Sequence, residues 1–428
     1  MTEEDFFSLF TEGLHESISR LTPPELESPW SRALFLSRWN SYGASSDPNG
    51  TIVACDGSMG ESSFTGGLTA WVSRAIAHVY HEDGSVMCIP EVSVEVDYRL
   101  EGQSLFMKTL ELRVLRKAIE KASQEHSRVL GLVDGSLYLT FFHYRERLQS
   151  MARIFEKYLN ELSSLLELAG EDTVIVGLSK DSDISYLRAK ILLDAVVKVD
   201  SSLEIELSRG RSIKKMREKL GEVTAGRPKD SPLHDCFNEL KQDISDEGLY
   251  TQIAHDPGFT TPLMLAPQTL FVTEEIKRGT KNWWESMFRG RLEGNSRMTG
   301  VLNGLDSYFK KPPVALTYWK PRQATGVYRV DIPSNLLGNE GAGGDLSEDT
   351  FSDDIGIAKA KSVVGMLNCI SHEPYVVNPL TEVDAIVRLD RALYKQAYEP
   401  IIIEELKRKG FRINPRKRGL RDSVLRGY

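Results

Sequence analysis

The chain is poor in the features that mark secreted, membrane-bound or disulfide-linked proteins. It has four cysteines in 428 residues, Cys55, Cys88, Cys236 and Cys369. Their spacing fits neither a zinc cluster nor a disulfide framework. No apolar run is long enough to cross a bilayer, since Pro400 and Glu404 flank even the short isoleucine run between them. The acidic N-terminus lacks the basic start of a signal peptide. We therefore predict a cytoplasmic protein with no membrane partner.

Basic charge is also scarce over most of the chain. The net charge of −8 argues against a protein that coats nucleic acid with its whole surface. The exception is the segment 407–428, which carries nine basic residues against one acidic residue, Asp422. A basic tail on an acidic body can contact phosphates, although a tail that is merely solvated has the same composition.

Two aspartates stand out because each directly follows a short apolar run of strand length. The run TIVAC in residues 51–58 leads into Asp56, and the run VLGLV in residues 128–139 leads into Asp134. A buried carboxylate is costly unless it is paired or binds a cation. Two of them at the ends of core strands therefore predict a metal site. The alternative is that both Asp-Gly-Ser sequences only form turns.

The order of the periodic segments predicts the fold class. Three successive strand patterns, in residues 51–58, 67–80 and 92–100, predict an antiparallel meander. A helix over 104–123, with Glu111 in its middle, the Asp134 strand and further helix and strand patterns follow. This order predicts an α/β protein with an RNase H-like core, in which a mixed β-sheet is flanked by helices and extended by additional helical and β elements.

A predicted strand pair at residues 313–319 and 326–332 combines basic and aromatic side chains. The candidate nucleic-acid contacts are Lys320, Arg322, Arg329, Tyr318 and Trp319. Aromatic rings among basic residues are typical of surfaces on which single-stranded nucleic acid stacks. The alternative is that these rings pack within a sheet.

The N-terminal segment Glu3–Ile18 has the apolar spacing of an amphipathic helix. It carries Phe6, Phe7 and Phe10 ahead of the predicted strands. We interpret this helix as a docking element for a partner, because apolar residues outside a core usually mark an interface.

Several motifs together resemble the NurA nucleases of archaea and some bacteria. The similar segments are VACDGS around Asp56, the helix glutamate Glu111, LVDGSL around Asp134, VGLSKDSDIS around Lys180, YRVDIP around Arg329 and EPYVVNPLTEVD up to Asp384. The last segment departs from the commoner pattern. Its alignment puts Asp384 where the family has a histidine or an acid, and Val376 or Tyr375 where the family has a tyrosine. An alternative role for Asp384 is to stabilise the start of its helix.

The resemblance implies a metal-dependent DNA nuclease, a 5′-to-3′ exonuclease and single-strand endonuclease that works in the resection of double-strand breaks. It implies a homodimer bound to the hexameric translocase HerA, acting on duplex ends and single strands. Asp56, Glu111, Asp134 and Asp384 would be the metal ligands, and Lys180 would neutralise the phosphate. Oxygen-only ligands favour Mn²⁺ or Mg²⁺, and a two-metal mechanism needs two such ions.

The resemblance also suggests how the chain is divided. We expect a helical docking segment at 1–45, the first part of the catalytic core at 46–200, an insertion or helical region at 201–305, the C-terminal part of the nuclease domain at 306–406 and the basic tail at 407–428. Two other functions remain open from the residues alone. One is a non-catalytic DNA-end adaptor on the same fold, and the other is a nuclease that acts on RNA.

Overall fold

The computed structural model describes most of the chain. The described residues are 3–19, 29–42, 50–98, 100–125, 128–139, 148–204, 213–228, 231–242, 244–266, 298–322, 326–346, 348–372 and 377–413. The chain forms two compact units, of which the first comprises Met1–Ser37 and Asp183–Leu249 and the second comprises Arg38–Ser182 and Tyr250–Tyr428. None of the helices in the described residues is long and apolar enough to cross a membrane. The division into five segments suggested by the sequence stays a prediction.

The helices and strands are numbered here in chain order. The helices are α1 (Glu3–Ser19), α2 (Pro29–Leu36), α3 (Gln103–Glu125), α4 (Leu148–Glu167), α5 (Tyr186–Val199), α6 (Ile213–Thr224), α7 (Pro232–Lys241), α8 (Asp246–Ile253), α9 (Thr299–Phe309), α10 (Asp354–Cys369), α11 (Asn378–Val387) and α12 (Glu399–Arg408). The strands are β1 (Trp39–Asn40), β2 (Thr51–Ser63), β3 (Leu68–Tyr80), β4 (Val86–Tyr98), β5 (Val129–Asp134), β6 (Thr173–Ser179), β7 (Gly258–Thr260), β8 (Leu263–Met264), β9 (Val314–Lys320), β10 (Tyr328–Pro333) and β11 (Thr350–Phe351).

The first unit is helical and is held together by buried charge. Arg188 on α5 and Glu239 on α7 form an ion pair with almost no exposed surface. Arg188 also donates to the backbone carbonyls of Gln242 and Ile244. The Asp246 carboxylate accepts the backbone N–H groups of Leu187 and Arg188 at 2.9 and 2.8 Å, so it satisfies free donors at the start of α5.

The second unit is built on one mixed sheet of eleven strands. The strands lie in the order β1-β7-β9-β10-β6-β5-β2-β3-β4, and β8 joins β9 to β11. The antiparallel meander β2-β3-β4 is confirmed, and β2, β5 and β6 are parallel neighbours. Because parallel neighbours point the same way, the carboxyl ends of β5 and β6 lie together beside the middle of β2, which continues to Ser63.

Helices cover both faces of this sheet. On one face, the Ile119 side chain of α3 packs against Gly131 of β5. On the other face, apolar residues of β5 and β6 form a core with α10 and α11, which contains Leu130, Leu132, Val176, Leu178, Ala360, Val364, Leu380 and Val383. The predicted α/β class, with a mixed sheet flanked by helices, is confirmed. Its assignment as RNase H-like stays a prediction.

One predicted helix is wrong in extent. The sequence pattern favours a single helix over 380–398, but α11 ends at Val387, and a helical turn at Arg391–Leu393 and a π-helical turn at Tyr394–Tyr398 follow. The helix ends there because Arg74 of β3 donates to the backbone carbonyls of Val387 and Arg388, at 2.6 and 2.5 Å. The next turn starts at Asp390, whose side chain accepts the N–H of Leu393.

Candidate metal centre

The sheet places the two predicted aspartates on neighbouring strands, but only Asp134 ends its strand. Asp56 lies in the middle of β2, which stays paired with β3 as far as Ser63, so the prediction that Asp56 ends a strand is wrong. Cys55 of β2 lies opposite Val133 of β5 in a parallel pair, so Asp56 and Asp134 follow at the same level on neighbouring strands. Their charges affect each other, since Asp134 contributes to the raised pKa of Asp56. The backbone thus places two carboxylates side by side, as the two Asp-Gly-Ser sequences predict.

The turn after Asp134 requires glycine for two reasons. Gly135 has φ 123°, which side chains rarely adopt, and its N–H donates to the carbonyl of Leu178 at 2.7 Å. Its own carbonyl lies so close to Gly177 that a Cβ there would come within 2.7 Å of it. This close approach brings β6 beside the turn, and Lys180 then reaches the Asp134 carboxylate with its Nζ 3.0 Å from Oδ2.

Glu111 reaches the site from α3, which packs against β2 at Cys55 and Gly57. The Cys55 thiol donates to the Glu111 backbone carbonyl at 3.4 Å, which ties β2 to the middle of the helix. The Glu111 carboxyl group lies over Gly57, where a Cβ would come within 2.6 Å of its Oε1. Gly57 therefore leaves the room that a buried glutamate needs.

The carboxyl groups are held close enough to oppose each other's ionisation. Burial, together with the charges of Asp134 and Asp384, raises the pKa of Asp56 to about 6. Burial also raises the pKa of Glu111 to about 7, with further contributions from Asp56 and Asp134 and an opposing one from Lys108. Buried acids with acidic neighbours favour a bound cation, because the cation offsets their mutual repulsion.

Asp384 joins the site from α11. Its carboxyl group lies close enough to that of Asp56 to contribute to the raised pKa of Asp56. The helix begins at Asn378 with no acidic residue in its first turn, and the Asp384 carbonyl accepts the N–H of Arg388 beyond the helix end. Asp384 therefore lies near the negative end of the helix dipole, where an acid is unfavourable. Its interpretation as a residue that stabilises the helix start is wrong.

A row of contacts holds the segment after α11 against one face of β2. Ser58 accepts the N–H of Leu389 at 2.7 Å. The Tyr394 ring packs on Gly60, and the hydroxyl groups of Ser62 and Tyr394 lie 3.0 Å apart. Because these contacts continue the alternation that starts at Asp56, the same strand that carries one carboxylate fixes the position of the helix that carries Asp384.

A second charged cluster, formed by Asp331 and Arg329 of β10, holds the loop that follows Asp134. The Asp331 carboxylate accepts the Ser136 hydroxyl at 2.7 Å and the N–H groups of Leu137 and Tyr138 at 3.0 and 3.3 Å. Arg329 donates its Nε to the other carboxylate oxygen at 2.7 Å. Ser136 of the DGSL motif therefore anchors the loop to β10.

The donor set fits a hard divalent cation in its chemistry. Within the described residues, no three His, Cys, Asp or Glu side chains are grouped tightly enough to form a complete metal site. The four acids are nevertheless oxygen donors with mutual repulsion, which is the environment that Mg²⁺ and Mn²⁺ favour. Binding would require the side chains to move together, with Lys180 releasing Asp134.

Comparison with known proteins identifies the family. The model of the NurA domain matches residues 50–342. The chain belongs to the NurA family. The crystal structure of the NurA nuclease from Sulfolobus solfataricus is similar, with a TM-score of 0.49 and 14% sequence identity, over 96% of this chain and 98% of that chain. No curated protein matches the chain. The resemblance of the motifs to NurA is thus confirmed, and the matched residues include Asp56, Glu111, Asp134 and Lys180 but not Asp384.

Three of the predicted nucleic-acid contacts lie in the protein core. Tyr318 and Trp319 are both 0% exposed. Arg329 is 5% exposed and is paired with Asp331. Their prediction as a stacking surface is wrong, because β9 and β10 are interior strands of the sheet, where aromatic rings pack and do not reach solvent.

The other two predicted contacts, Lys320 and Arg322, have partners within the protein. Lys320 donates its Nζ to the backbone carbonyls of Ala254 and His255, at 2.6 and 3.0 Å. The Arg322 guanidinium lies 5.7 Å from the ring centre of Tyr42. Their contact with nucleic acid stays a prediction, and these interactions favour a structural role.

The predicted docking helix matches α1 in extent. Phe7 and Phe10 are 70% and 59% exposed, and Leu14 and Ile18 on the same helix are also exposed. The Phe6 side chain lies outside the described residues, as do most of the basic tail, residues 414–428, and the segment 373–376 before α11. The role of α1 in partner binding stays a prediction.

Three residues of the site were missed in the sequence. Lys108 lies three positions before Glu111, on the same helix face, and this spacing could have revealed it. Asp331 lies in the YRVDIP segment that carries part of the family resemblance. Arg74, which fixes the end of α11, gives no local indication, because its partners are backbone atoms over 300 positions away in the chain.

Proposed function

We propose that this member of the NurA family is a metal-dependent DNA nuclease, with 5′-to-3′ exonuclease and single-strand endonuclease activity, that resects double-strand breaks. Membership of the family supports a nuclease. The single observation that carries the proposal is the meeting of Asp56, Glu111, Asp134 and Asp384 around one edge of the sheet, where burial and mutual repulsion raise the pKa of two of them.

Each residue would have a distinct role in hydrolysis of the phosphodiester bond. The four acids would hold two divalent ions, Mn²⁺ or Mg²⁺, which supply water activation and stabilisation of the leaving oxygen when bound. Lys180 would bind a non-bridging oxygen of the phosphate and offset its developing charge. Asp331 would keep the loop at residues 136–138 in place, so that Asp134 points in one direction.

Degradation of end-labelled substrates tests the proposal. Duplex and single-stranded DNA and RNA, labelled at either end, would be incubated with the full chain and Mn²⁺, Mg²⁺, Ca²⁺ or EDTA. We expect cleavage of DNA with Mn²⁺ or Mg²⁺, 5′-to-3′ on duplexes, and its loss in the Asp134→Asn variant. The matched control is Asp172→Asn, because this exposed acid precedes β6 at the opposite edge of the same sheet.

The other outcomes identify the alternatives. DNA binding without cleavage under any metal would support the non-catalytic DNA-end adaptor. Cleavage confined to RNA would support an RNA nuclease on the same fold. Equal activity of wild type and the Asp134→Asn variant would place the reaction at another site.

We further propose that the chain forms a homodimer through β4. Val92, Val94 and Val96 are exposed on one face of this strand, while Glu91 and Glu95 on the other face pair with basic residues of α3 and α4. No strand of the described residues pairs with the outer edge of β4. A second copy of the chain suits this surface, because a row of exposed valines on one face of a strand can pack against the same row of another copy across a two-fold axis.

Light scattering tests the dimer. We expect a dimer for wild type and a monomer for Val94→Glu, since two facing glutamates would be buried without partners. Ile355→Glu is the matched control, because this exposed apolar residue lies on α10 and not on β4. A dimer that withstands the Val94→Glu change would refute this interface.

We also propose that α1 binds HerA. Its exposed apolar side chains recur at helical spacing, which is how an amphipathic helix docks in a groove of another protein. The Phe7→Ser, Phe10→Ser double variant should no longer co-elute with HerA and should keep its nuclease activity. Co-elution equal to that of wild type would refute the proposal. His15→Ser, on the same helix, is the control.

A further inference from the structure

A lysine from α3 lies on the same turn as the Asp134 carboxylate. Lys108 precedes Glu111 by three residues, so both side chains leave the helix on the same face. Its Nζ occupies the space beside Gly135, where an added Cβ would come within 2.8 Å of it. The absence of a side chain at Gly135 therefore makes room for the ammonium group as well as for the turn.

Lys108 and Lys180 approach this turn with two separate ammonium groups. Lys180 contacts the carboxylate of Asp134 directly, at 3.0 Å, and Lys108 lies against the following residue. The charge of Lys108 also opposes the rise in the pKa of Glu111. Both ammonium groups thus lie at the turn that begins with Asp134, and both belong to flexible side chains that can move away without unfolding an element.

We propose that Lys108 and Lys180 are internal counter-ions of the carboxylates that divalent cations replace, and that the released Lys108 then binds the DNA phosphate together with Lys180. This inference rests on the proposed nuclease function. A carboxylate oxygen that binds a metal ion has less charge to offer an ammonium group. The two ammonium groups are then available to bind another anion, and the anion that enters this site is the phosphate of the substrate.

The inference predicts changes of opposite sign in two binding measurements. In Lys108→Met and Lys180→Met, Mn²⁺ binding measured by calorimetry without DNA should become about three- to tenfold tighter, because a positive charge near the ion is removed. DNA binding measured in Ca²⁺ should become about tenfold weaker, and its dependence on log salt should lose about one unit of slope. Lys108→Arg should restore DNA binding.

The control is Lys121→Met, which removes an exposed lysine from the same helix farther along. It should change neither measurement. Weaker Mn²⁺ binding in Lys108→Met would overturn the inference, since it would mean that Lys108 supports Glu111 and does not compete with the metal. Unchanged binding of both Mn²⁺ and DNA would also overturn it. If wild type neither binds Mn²⁺ nor cleaves DNA, the proposed function itself fails, which separates the two results.

Discussion

Asp134 directly precedes a short loop that Asp331 of β10 holds by hydrogen bonds, and the surroundings of the two carboxylates are opposite in kind. Asp331 is 0% exposed and accepts hydrogen bonds from Ser136, Leu137 and Tyr138, in addition to its ion pair with Arg329. Asp134 is partly exposed, has one ammonium group beside it and faces other acids. A carboxylate whose partners are complete fixes the structure around it, whereas one with like-charged neighbours retains the capacity to bind a cation.

The same contrast separates the two charged regions of the sheet. At β10 the buried charges are matched, so they contribute a rigid base for the loop. At Asp56 within β2 and Asp134 at the end of β5 the charges repel, which lowers the stability of the folded protein and is compatible with a functional site. Substitutions should therefore affect stability in opposite directions in the two regions, and the predictions below follow from that difference.

The largest effect should come from the repelling carboxylates. Asp56→Asn and Asp134→Asn should each lower the rate of metal-dependent cleavage by at least about 1000-fold, or about 4 kcal/mol in the barrier. Asp56→Asn should at the same time raise the free energy of unfolding by about 1 kcal/mol, because it removes a charge that burial and two acidic neighbours disfavour. Cleavage rates and urea unfolding without added metal would measure both changes. A rate within about tenfold of wild type would argue against the metal centre.

The matched cluster should show the reverse. Asp331→Asn leaves the Arg329 charge buried without its partner, so the free energy of unfolding should fall by about 3 to 5 kcal/mol. Urea unfolding measures this loss. The control is Glu404→Gln, which breaks an exposed pair with Arg408 on α12 and should cost less than about 1 kcal/mol. Equal losses in the two variants would mean that Asp331 is not the anchor of its loop.

The structure could be predicted from the sequence where it depends on neighbouring residues or on a periodic pattern of apolar residues. The meander and the mid-helix position of Glu111 follow from alternation and helical spacing, which the structure retains. The wrong prediction at Tyr318 and Trp319 arose because composition does not tell an interior strand from an exposed one. The end of α11 could not be predicted either, since it is set by Arg74 in a strand over 300 residues earlier.

A smaller effect, on metal binding, is expected at Asp384, whose surroundings are intermediate between those of Asp134 and those of Asp331. It is exposed but contributes to the raised pKa of Asp56. If it is a ligand, Asp384→Asn should weaken Mn²⁺ affinity by about 10- to 100-fold, a loss seen even for groups that contact a metal only indirectly. Titration of activity against Mn²⁺ measures this shift. Glu382→Gln, two residues earlier on the same helix, is the control because its carboxylate accepts the Tyr80 hydroxyl instead.

A titration curve of Asp384→Asn that superimposes on that of wild type would remove Asp384 from the ligand set. The remaining acids, Asp56, Glu111 and Asp134, would then form the centre by themselves. Because Asp384 lies near the C-terminal end of its helix, the loss of its charge should not destabilise α11, so a shifted curve could not be explained by a damaged helix.

The smallest effect on DNA binding should come from Arg322, which the sequence placed among the nucleic-acid contacts. Its backbone N–H donates to the Asn368 side chain at 3.0 Å, and its guanidinium lies near the Tyr42 ring. Tyr42 in turn donates to the Lys320 carbonyl at 2.9 Å. We expect Arg322→Ala to change the DNA dissociation constant in Ca²⁺ by less than about twofold and to cost about 0.5 to 1 kcal/mol of stability through the lost ring contact. Lys180→Met, measured in parallel, should weaken DNA binding by about tenfold through the lost phosphate contact. A tenfold loss of DNA affinity in Arg322→Ala would instead mean that the DNA-binding surface extends to the end of β9. Side chains there would then contact DNA as well as stabilise the fold.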